Sequence, residues 1–351
     1  MRARLLYAVY LALSVVLILI SAEFLSGFLL AQKKRNTDEQ YLLVLDPHLG
    51  FGYTEQKSPL KKLIKAIETR GAKVDHGFIT FGSKTADASA SRPTILIMGG
   101  STTDPLYSPD GRLLTSWPEF LSEILHQKGK AGTVVTGAVS GFNSSQETFK
   151  FVRDGLEFKP DIVISYGGLR ENEKNEPLPY PMVHIYQRYV LNYIVDKLAN
   201  ITQSAPLMKN TVALLTGASA PLYEATFGLP SKNTHAEAWL RNMRVMSAVA
   251  TTFGAKFCSI LQPIAFDRKT DQSQPSDPER AAFEASTAAL REEERGLIAQ
   301  YPYFLDLTDL FGKSGQNVGV LTPDGVHATE AGNKLVAEAV YEQLFETGKC
   351  L

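Results

Sequence analysis

The sequence has few cysteines and no excess of charge of either sign. Only two cysteines occur in 351 residues, and 36 basic residues against 37 acidic ones leave a net charge of −1. Cys258 and Cys350 fit neither zinc-ligand spacing nor a redox Cys-x-x-Cys motif, which argues against metal and thiol chemistry. Balanced charge without a basic stripe argues against nucleic acid as a partner.

The small number of cysteines leaves their redox state open. We expect Cys258 to be buried and Cys350 to be a free thiol in the C-terminal tail. A disulfide between them is the alternative if the protein faces an oxidising compartment. Because 44% of the residues are hydrophobic and 10% aromatic, the chain can bury a sizeable core, which excludes disorder as its main state.

One long apolar run is present, and it lies at the N terminus. Residues 5–30 contain a single charge, Glu23, and at ~1.5 Å per residue a helix of this length exceeds the ~30 Å hydrocarbon core of a bilayer. We therefore predict one N-terminal transmembrane helix, with a cleaved signal peptide as the alternative. Basic residues flank both ends of the run, so charge does not decide its orientation.

The chain divides into three predicted regions. Residues 1–35 form the anchor with its flanking charges, 36–92 a linker and short β-rich lead-in, and 93–351 a region of regular alternation. We predict strands at 94–98, 133–139, 161–166, 211–215, 256–261 and 303–307, and helices near 117–128, 144–157, 182–200, 235–253, 278–300 and 329–346. This alternation predicts an α/β domain, a three-layer α/β/α sandwich around a mostly parallel sheet. Its ligand site should lie beyond the carboxyl ends of the strands.

The first strand of this domain runs into Gly99-Gly100-Ser101. Two glycines allow a close backbone approach, and free N–H groups at the following turn would favour an oxyanion. A serine here is a candidate nucleophile, although serine also commonly caps a turn. A nucleotide-binding loop in a flavodoxin-like protein is a third interpretation, which the absence of an acidic ribose partner disfavours.

A serine nucleophile needs a base, and the base needs a group that holds its tautomer. Of six histidines, only His327 has an aspartate, Asp324, three residues before it. Pro323 and Gly325 predict a turn there, before a helix that Thr329 would cap. A solvated surface turn is the alternative. Ser116-x-x-Glu119 similarly predicts a capping box before the helix near residue 117.

These segments occur in an order that resembles the SGNH/GDSL hydrolase family. Gly-Gly-Ser-Thr ends the first strand, the segment 138–146 (AVSGFNSSQ) follows the second, 161–168 (DIVISYGG) includes the third, and Asp324-x-x-His327 precedes the last helix. The resemblance covers residues 94 to about 346. It implies the flavodoxin-like SGNH fold, Ser101 as the nucleophile, Asp324 and His327 as its activating pair, and an oxyanion hole from the N–H groups of Ser101 and Gly141.

The sequence departs from the family pattern at two points. Gly100 stands where the family usually has the aspartate of Gly-Asp-Ser. In the third block, direct alignment places Arg170 where the family's asparagine donates its side-chain amide to the oxyanion hole. Asn172 reaching the hole from two residues further on is the favoured third donor, with Arg170 as the alternative.

The resemblance implies a GDSL/SGNH-type serine esterase that hydrolyses or transfers an acyl ester without a metal or cofactor. For an anchored member, O-acetyl groups on a cell-envelope glycan are a plausible substrate and the outer side of the membrane a plausible location. Lipid esters are a competing substrate class because the domain lies near a bilayer. A non-catalytic SGNH-like module that binds glycan or scaffolds an envelope complex is the alternative from another class.

Overall fold

The computed structural model describes residues 43–46, 49–53, 58–82, 93–107, 113–130, 132–168, 235–264, 278–313 and 319–351. The chain divides into two compact units. The first comprises residues 1–51 and 183–228, of which only the strand β1 (Leu43–Asp46), Leu49 and the beginning of β2 (Gly50–Tyr53) are described. The second unit comprises residues 52–182 and 229–351 and contains the sheet and every residue of the site discussed below.

The elements of the second unit alternate between strands and helices. The described strands are β3 (Lys73–Asp75), β4 (Phe78–Phe81), β5 (Thr94–Gly99), β6 (Thr133–Thr136), β7 (Ile162–Gly167), β8 (Lys256–Leu261) and β9 (Phe304–Asp306). The described helices are α1 (Ser58–Thr69), α2 (Trp117–Gln127), α3 (Ser144–Arg153), α4 (His235–Thr252), α5 (Pro278–Ile298), α6 (Leu310–Lys313) and α7 (Glu330–Tyr341). The predicted strand at 211–215 and helix at 182–200 lie outside the described residues.

The seven strands form one mixed sheet in the order β3-β4-β6-β5-β7-β8-β9. β6, β5, β7, β8 and β9 are parallel, which confirms the prediction of a mostly parallel sheet. β4 pairs with β6 antiparallel, and β3 with β4 antiparallel. This hairpin lies in the lead-in segment, so residues before 93 extend the sheet.

The central strands are apolar along almost their whole length. In β5 every residue after Thr94 is buried, and in β7 every residue before Gly167 is buried. Successive side chains of a strand point to opposite faces, so an unbroken buried run requires that both faces of the sheet are covered. The helices that cover the sheet pack in two groups, α2 with α7, and α4 with both α3 and α5.

The two cysteines are paired in the structure, which corrects the expectation that Cys350 is free. Cys258 lies in the buried strand β8, and the Cα atoms of Cys258 and Cys350 are 5.3 Å apart across the disulfide. The sequence did not reveal this because 92 positions separate the two residues. The disulfide holds the C-terminal tail against the sheet.

The two predicted helix caps have different outcomes. Thr329 caps α7, and its hydroxyl accepts a hydrogen bond from the Gly332 N–H. The Ser116 hydroxyl makes no capping hydrogen bond, so the prediction of a full capping box at α2 was wrong. The other half of the box is present, because the Glu119 carboxylate accepts a hydrogen bond from the Ser116 N–H.

None of the helices in the described ranges is long and apolar enough to cross a bilayer. The predicted anchor at residues 5–30 lies outside those ranges.

Candidate active site

Ser101 lies at the carboxyl end of the central strand β5, in a turn that packs closely against neighbouring segments. The Asp104 and Thr103 N–H groups donate to the Gly100 carbonyl and close the turn around the serine. A Cβ atom on Gly99 would lie 2.6 Å from Thr103 Oγ1, and one on Gly100 would lie 3.2 Å from the Phe142 carbonyl oxygen. Gly99 is therefore needed for this close packing, whereas a side chain at Gly100 would require the Phe142 backbone to shift by a few tenths of an ångström.

His327 lies in a compact turn before α7, and the residues on either side of this turn pair in an isolated β-bridge. Leu321 and Ala328 form the bridge, and the Thr322 N–H donates to the His327 carbonyl at 2.8 Å. Gly325, at the tip, has a φ of 74°, a conformation that glycine adopts without strain. The turn therefore holds the Asp324 and His327 side chains next to each other, as the spacing predicts.

The structure brings Ser101, His327 and Asp324 together although 226 positions separate the serine from the histidine. His327 Nε2 lies 2.8 Å from Ser101 Oγ, and His327 Nδ1 lies 2.7 Å from Asp324 Oδ2. Both distances are in the range of a hydrogen bond between a nucleophile and its base, and between that base and its orienting group. The imidazole bridges the hydroxyl and the carboxylate.

Asp324 is held in its ionised form. Burial acts to raise its pKa, but hydrogen bonds from the His327 ring, the Thr322 hydroxyl and the N–H groups of His327 and Val326 outweigh burial and hold the pKa far below its usual value. An ionised carboxylate can only accept hydrogen bonds, so His327 Nδ1 must carry the proton that points to Asp324. A neutral imidazole then has Nε2 free to accept the Ser101 proton.

A tyrosine covers the face of the imidazole, a contact that the sequence did not predict. The Tyr107 and His327 rings are stacked, with centroids 4.2 Å apart and planes at 19°. Only 16% of the His327 side chain is exposed. Stacking thus limits the orientations that the ring can adopt beside Ser101.

A small pocket of about 30 Å³ opens beside Ser101 and His327. Polar residues dominate its lining, and Leu114 and Ala328 are its aliphatic residues. The other residues that line it are Thr102, Asp104, Tyr107, Ser116, Thr322 and Asn333. The pocket therefore offers both polar and apolar contacts to a small group bound beside Ser101.

Two backbone N–H groups near the serine are available for an oxyanion. Within the described part of the chain, neither the Ser101 N–H nor the Gly141 N–H has a hydrogen-bond acceptor. Gly141 has a φ of 89°, in a turn that contacts the nucleophile turn, and the Val139 N–H beside it donates to the Gly99 carbonyl at 3.1 Å. The predicted third donors, Asn172 and Arg170, lie outside the described residues.

Asp104 and Tyr53 also reach the site, and sequence reasoning assigned a role to neither. The Asp104 carboxylate accepts hydrogen bonds from Tyr53 and Ser140, which lie 51 and 36 positions away along the chain. Asp104 lies three residues after Ser101. This short distance along the chain was the one signal in the sequence that could have pointed to Asp104. No local pattern pointed to Tyr53 as its partner.

A hydroxyl, an imidazole and a carboxylate arranged in this way have the geometry of a serine hydrolase triad, in which the imidazole takes the serine proton. Among the described residues, no cluster of histidine, cysteine and acidic side chains could hold a metal ion. The arrangement can thus perform nucleophilic acyl chemistry with the residues of this chain.

The sequence matches none of the protein-family models and none of the curated proteins with which it was compared. The chain is similar to several solved structures, among them the acetylxylan esterase Axe2 from Geobacillus stearothermophilus, at 15% identity and a TM-score of 0.41 over 71% of this chain and 93% of that one. A protein from Parabacteroides merdae described as a GDSL-like lipase aligns at 15% identity and a TM-score of 0.43, over 71% and 94%.

A third similar structure is LAE5, described as an alpha/beta hydrolase enzyme from the metagenome of Lake Arreo in Spain. It aligns at 13% identity and a TM-score of 0.44 over 71% of this chain and 93% of that one. Because the TM-scores are below 0.5, the functional assignment of this site rests on its own geometry.

Proposed function

We propose that this protein is a serine esterase of the SGNH/GDSL type that hydrolyses or transfers acyl esters. The observation that carries the proposal is the continuous contact from Ser101 Oγ through the His327 ring to Asp324, with distances of 2.8 and 2.7 Å. A binding or scaffolding module has no need of a hydroxyl, an imidazole and an ionised carboxylate in this order, so catalysis is favoured over the non-catalytic alternative.

The reaction proceeds through an acyl-enzyme. Ser101 Oγ attacks the ester carbonyl carbon while its proton passes to His327 Nε2, and Asp324 stabilises the imidazolium. The N–H groups of Ser101 and Gly141 donate to the oxygen of the tetrahedral intermediate. Collapse breaks the bond to the leaving alcohol, which takes the proton from His327, and water or an acceptor alcohol then releases the acyl group by the same steps in reverse.

The substrate that we favour carries a short acyl group, such as O-acetyl on a cell-envelope glycan. The pocket beside Ser101 and His327 is small, and Thr102, Thr322 and Asn333 in its lining can form hydrogen bonds with a hydroxyl-bearing alcohol, which supports an acetyl ester over the long hydrocarbon chain of a lipid ester. A comparison of kcat/KM for p-nitrophenyl acetate and p-nitrophenyl palmitate tests this choice. A preference for palmitate would favour the lipid ester instead.

The location that we propose is the outer side of a membrane, to which residues 5–30 anchor the chain. The Cys258–Cys350 disulfide supports it, because disulfides persist mainly in oxidising compartments outside the cytoplasm. Alkylation of free thiols under denaturing conditions, in protein taken directly from its cells, tests the location. Two cysteines that do not react, because they are disulfide-bonded, support it, and two thiols that react contradict it.

The direct test of the activity is the substitution Ser101→Ala. Loss of the nucleophile should lower acetate release from p-nitrophenyl acetate by roughly 10⁴–10⁶-fold while thermal unfolding stays cooperative. Ser145→Ala is the matched control, since Ser145 lies at the start of α3, where its hydroxyl accepts a hydrogen bond from Asn242. A folded Ser101→Ala variant with the activity of the control would refute the proposal.

The third oxyanion donor is proposed to be Asn172, with Arg170 as the alternative. Loss of one donor typically lowers kcat by about 10²–10³-fold. Asn172→Ala and Arg170→Ala should therefore differ, with the larger fall in kcat at the residue that supplies the donor. Equal activity of both variants and the parent would mean that the two backbone N–H groups act alone.

A further inference from the structure

Asp104 is a buried carboxylate in the nucleophile turn that the triad does not use. It lies three residues after Ser101, its N–H donates to the Gly100 carbonyl at 3.1 Å, and 5% of its surface is exposed. A carboxylate removed from water is costly unless donors surround it. The hydrogen bonds that Asp104 accepts therefore indicate its role in the structure.

The Asp104 carboxylate joins three separate parts of the chain. Oδ2 accepts hydrogen bonds from the Ser140 N–H at 2.9 Å, from the Ser140 hydroxyl at 2.7 Å, and from the Tyr53 hydroxyl. Oδ1 accepts from the Leu106 N–H at 2.9 Å within its own turn. One side chain thus connects the nucleophile turn, the turn after β6, and strand β2.

Ser140 is the residue directly before Gly141, whose N–H is the second proposed oxyanion donor. Two hydrogen bonds from Ser140 to Asp104 therefore fix the peptide group next to the one that must point at the oxyanion. Gly141 has a φ of 89° and no side chain, so nothing of its own restrains its N–H. A displacement of about 1 Å in such a donor can lower a rate by roughly 10²-fold.

We propose that Asp104 is a positioning residue that holds the Gly141 N–H in register with the Ser101 N–H, and that Tyr53 completes this clamp by donating to the same carboxylate oxygen. The proposal rests on the esterase function given above. It also assigns a role in catalysis to the segment before residue 93, because Tyr53 belongs to strand β2. Tyr53, Asp104 and Ser140 together form the Asp104 clamp.

The test compares Asp104→Ala with Glu119→Ala in the full-length protein. Glu119 is also a buried carboxylate, 7% exposed; it is paired with Arg70 at 3.3 Å and hydrogen-bonded to the Ser116 backbone, and it contacts neither a triad residue nor the Gly141 turn. Asp104→Ala should lower kcat for p-nitrophenyl acetate by roughly 10–10²-fold, with KM within about 3-fold of the parent. Glu119→Ala should lower thermal stability and leave kcat within about 2-fold.

A second measurement reports on the oxyanion hole itself. Phenylboronic acid forms a tetrahedral anion on the serine, so its inhibition constant should rise in Asp104→Ala by about the same factor as kcat falls. Tyr53→Phe and Ser140→Ala each remove one hydroxyl donor and keep the carboxylate and the backbone bond. They should give smaller losses of kcat, about 2–10-fold, and they serve if Asp104→Ala does not fold.

Each outcome of these measurements either supports or overturns the role proposed for Asp104. Asp104→Ala with kcat within about 2-fold of the parent, or losses of kcat in Asp104→Ala and Glu119→Ala that both follow their loss of stability, would overturn the proposal. If Asp104→Ala does not fold, parental kcat and boronate inhibition in both hydroxyl variants would overturn it. If Ser101→Ala is inactive and the Asp104 clamp variants are fully active, the esterase assignment stands and only the clamp fails.

Discussion

The two sides of the site are built differently. The His327 turn is held by hydrogen bonds between residues at most ten positions apart, and 45% of the Asp324 side chain is exposed. The turns that carry Ser101 and Gly141 each close with local backbone hydrogen bonds, and the buried Asp104 clamp, whose members come from three parts of the chain, joins one turn to the other. Asp324 and His327 are thus placed side by side within one turn, while the position of the proposed oxyanion donors relative to each other depends on tertiary contacts.

The largest expected effect lies in the locally built turn. His327→Ala should lower kcat for p-nitrophenyl acetate by roughly 10⁴–10⁶-fold, because Ser101 loses the only group that the structure places within reach of its proton among the described residues. Steady-state kinetics at saturating substrate check this. His126→Ala, on the partly exposed last turn of α2, is the control and should keep the parental rate.

The two aspartates should respond oppositely to pH. The pKa of Asp324 is lowered, so its ionised form adds stability above pH ~3.8, and this is lost as pH falls through the lower folded pKa. Burial raises the pKa of Asp104, so stability is lost as pH rises from ~3.8 through the higher folded pKa. Urea unfolding of the parent, Asp324→Asn and Asp104→Asn between about pH 3 and pH 7 measures both differences.

The stability advantage of the parent over Asp324→Asn should therefore shrink toward acid pH. Its advantage over Asp104→Asn should shrink toward neutral pH. Two differences that change in the same direction would contradict the contrast between a half-exposed carboxylate and a buried one.

The smallest expected effect on activity comes from the disulfide, which lies outside the turns that carry Ser101, Gly141 and His327. Cys350→Ala should lower the free energy of unfolding by about 2–4 kcal/mol and leave the turnover rate within about 2-fold, since Cys350 lies in the C-terminal tail and Cys258 in the core of β8. Reduction of the parent with dithiothreitol is the matched comparison. If the turnover rate instead fell by about 10-fold or more, the tail would take part in the site.

The same contrast explains which parts of the molecule could be predicted. Asp324 and His327 are neighbours in sequence, and Pro323 and Gly325 mark their turn, so a local pattern was enough to place them side by side. The apolar runs of β5, β7 and β8 likewise predicted a parallel sheet with Ser101 at its carboxyl edge. These features depend on local spacing and on one general rule of sheet topology.

The remaining features depend on contacts that no local pattern encodes. Tyr53 meets Asp104 across 51 positions, and Cys258 meets Cys350 across 92. The Ser116 hydroxyl makes no capping bond although the Ser-x-x-Glu pattern is present. Long-range pairing thus sets the main limit of prediction from this sequence.

The most direct test of the central claim is covalent labelling with a fluorophosphonate, followed by peptide mass spectrometry. The serine activated by His327 and Asp324 should be the one labelled side chain in the parent, and labelling should fall to background in folded His327→Ala. No adduct on Ser101 in the folded parent, or equal labelling of Ser101 with and without the imidazole, would contradict the account.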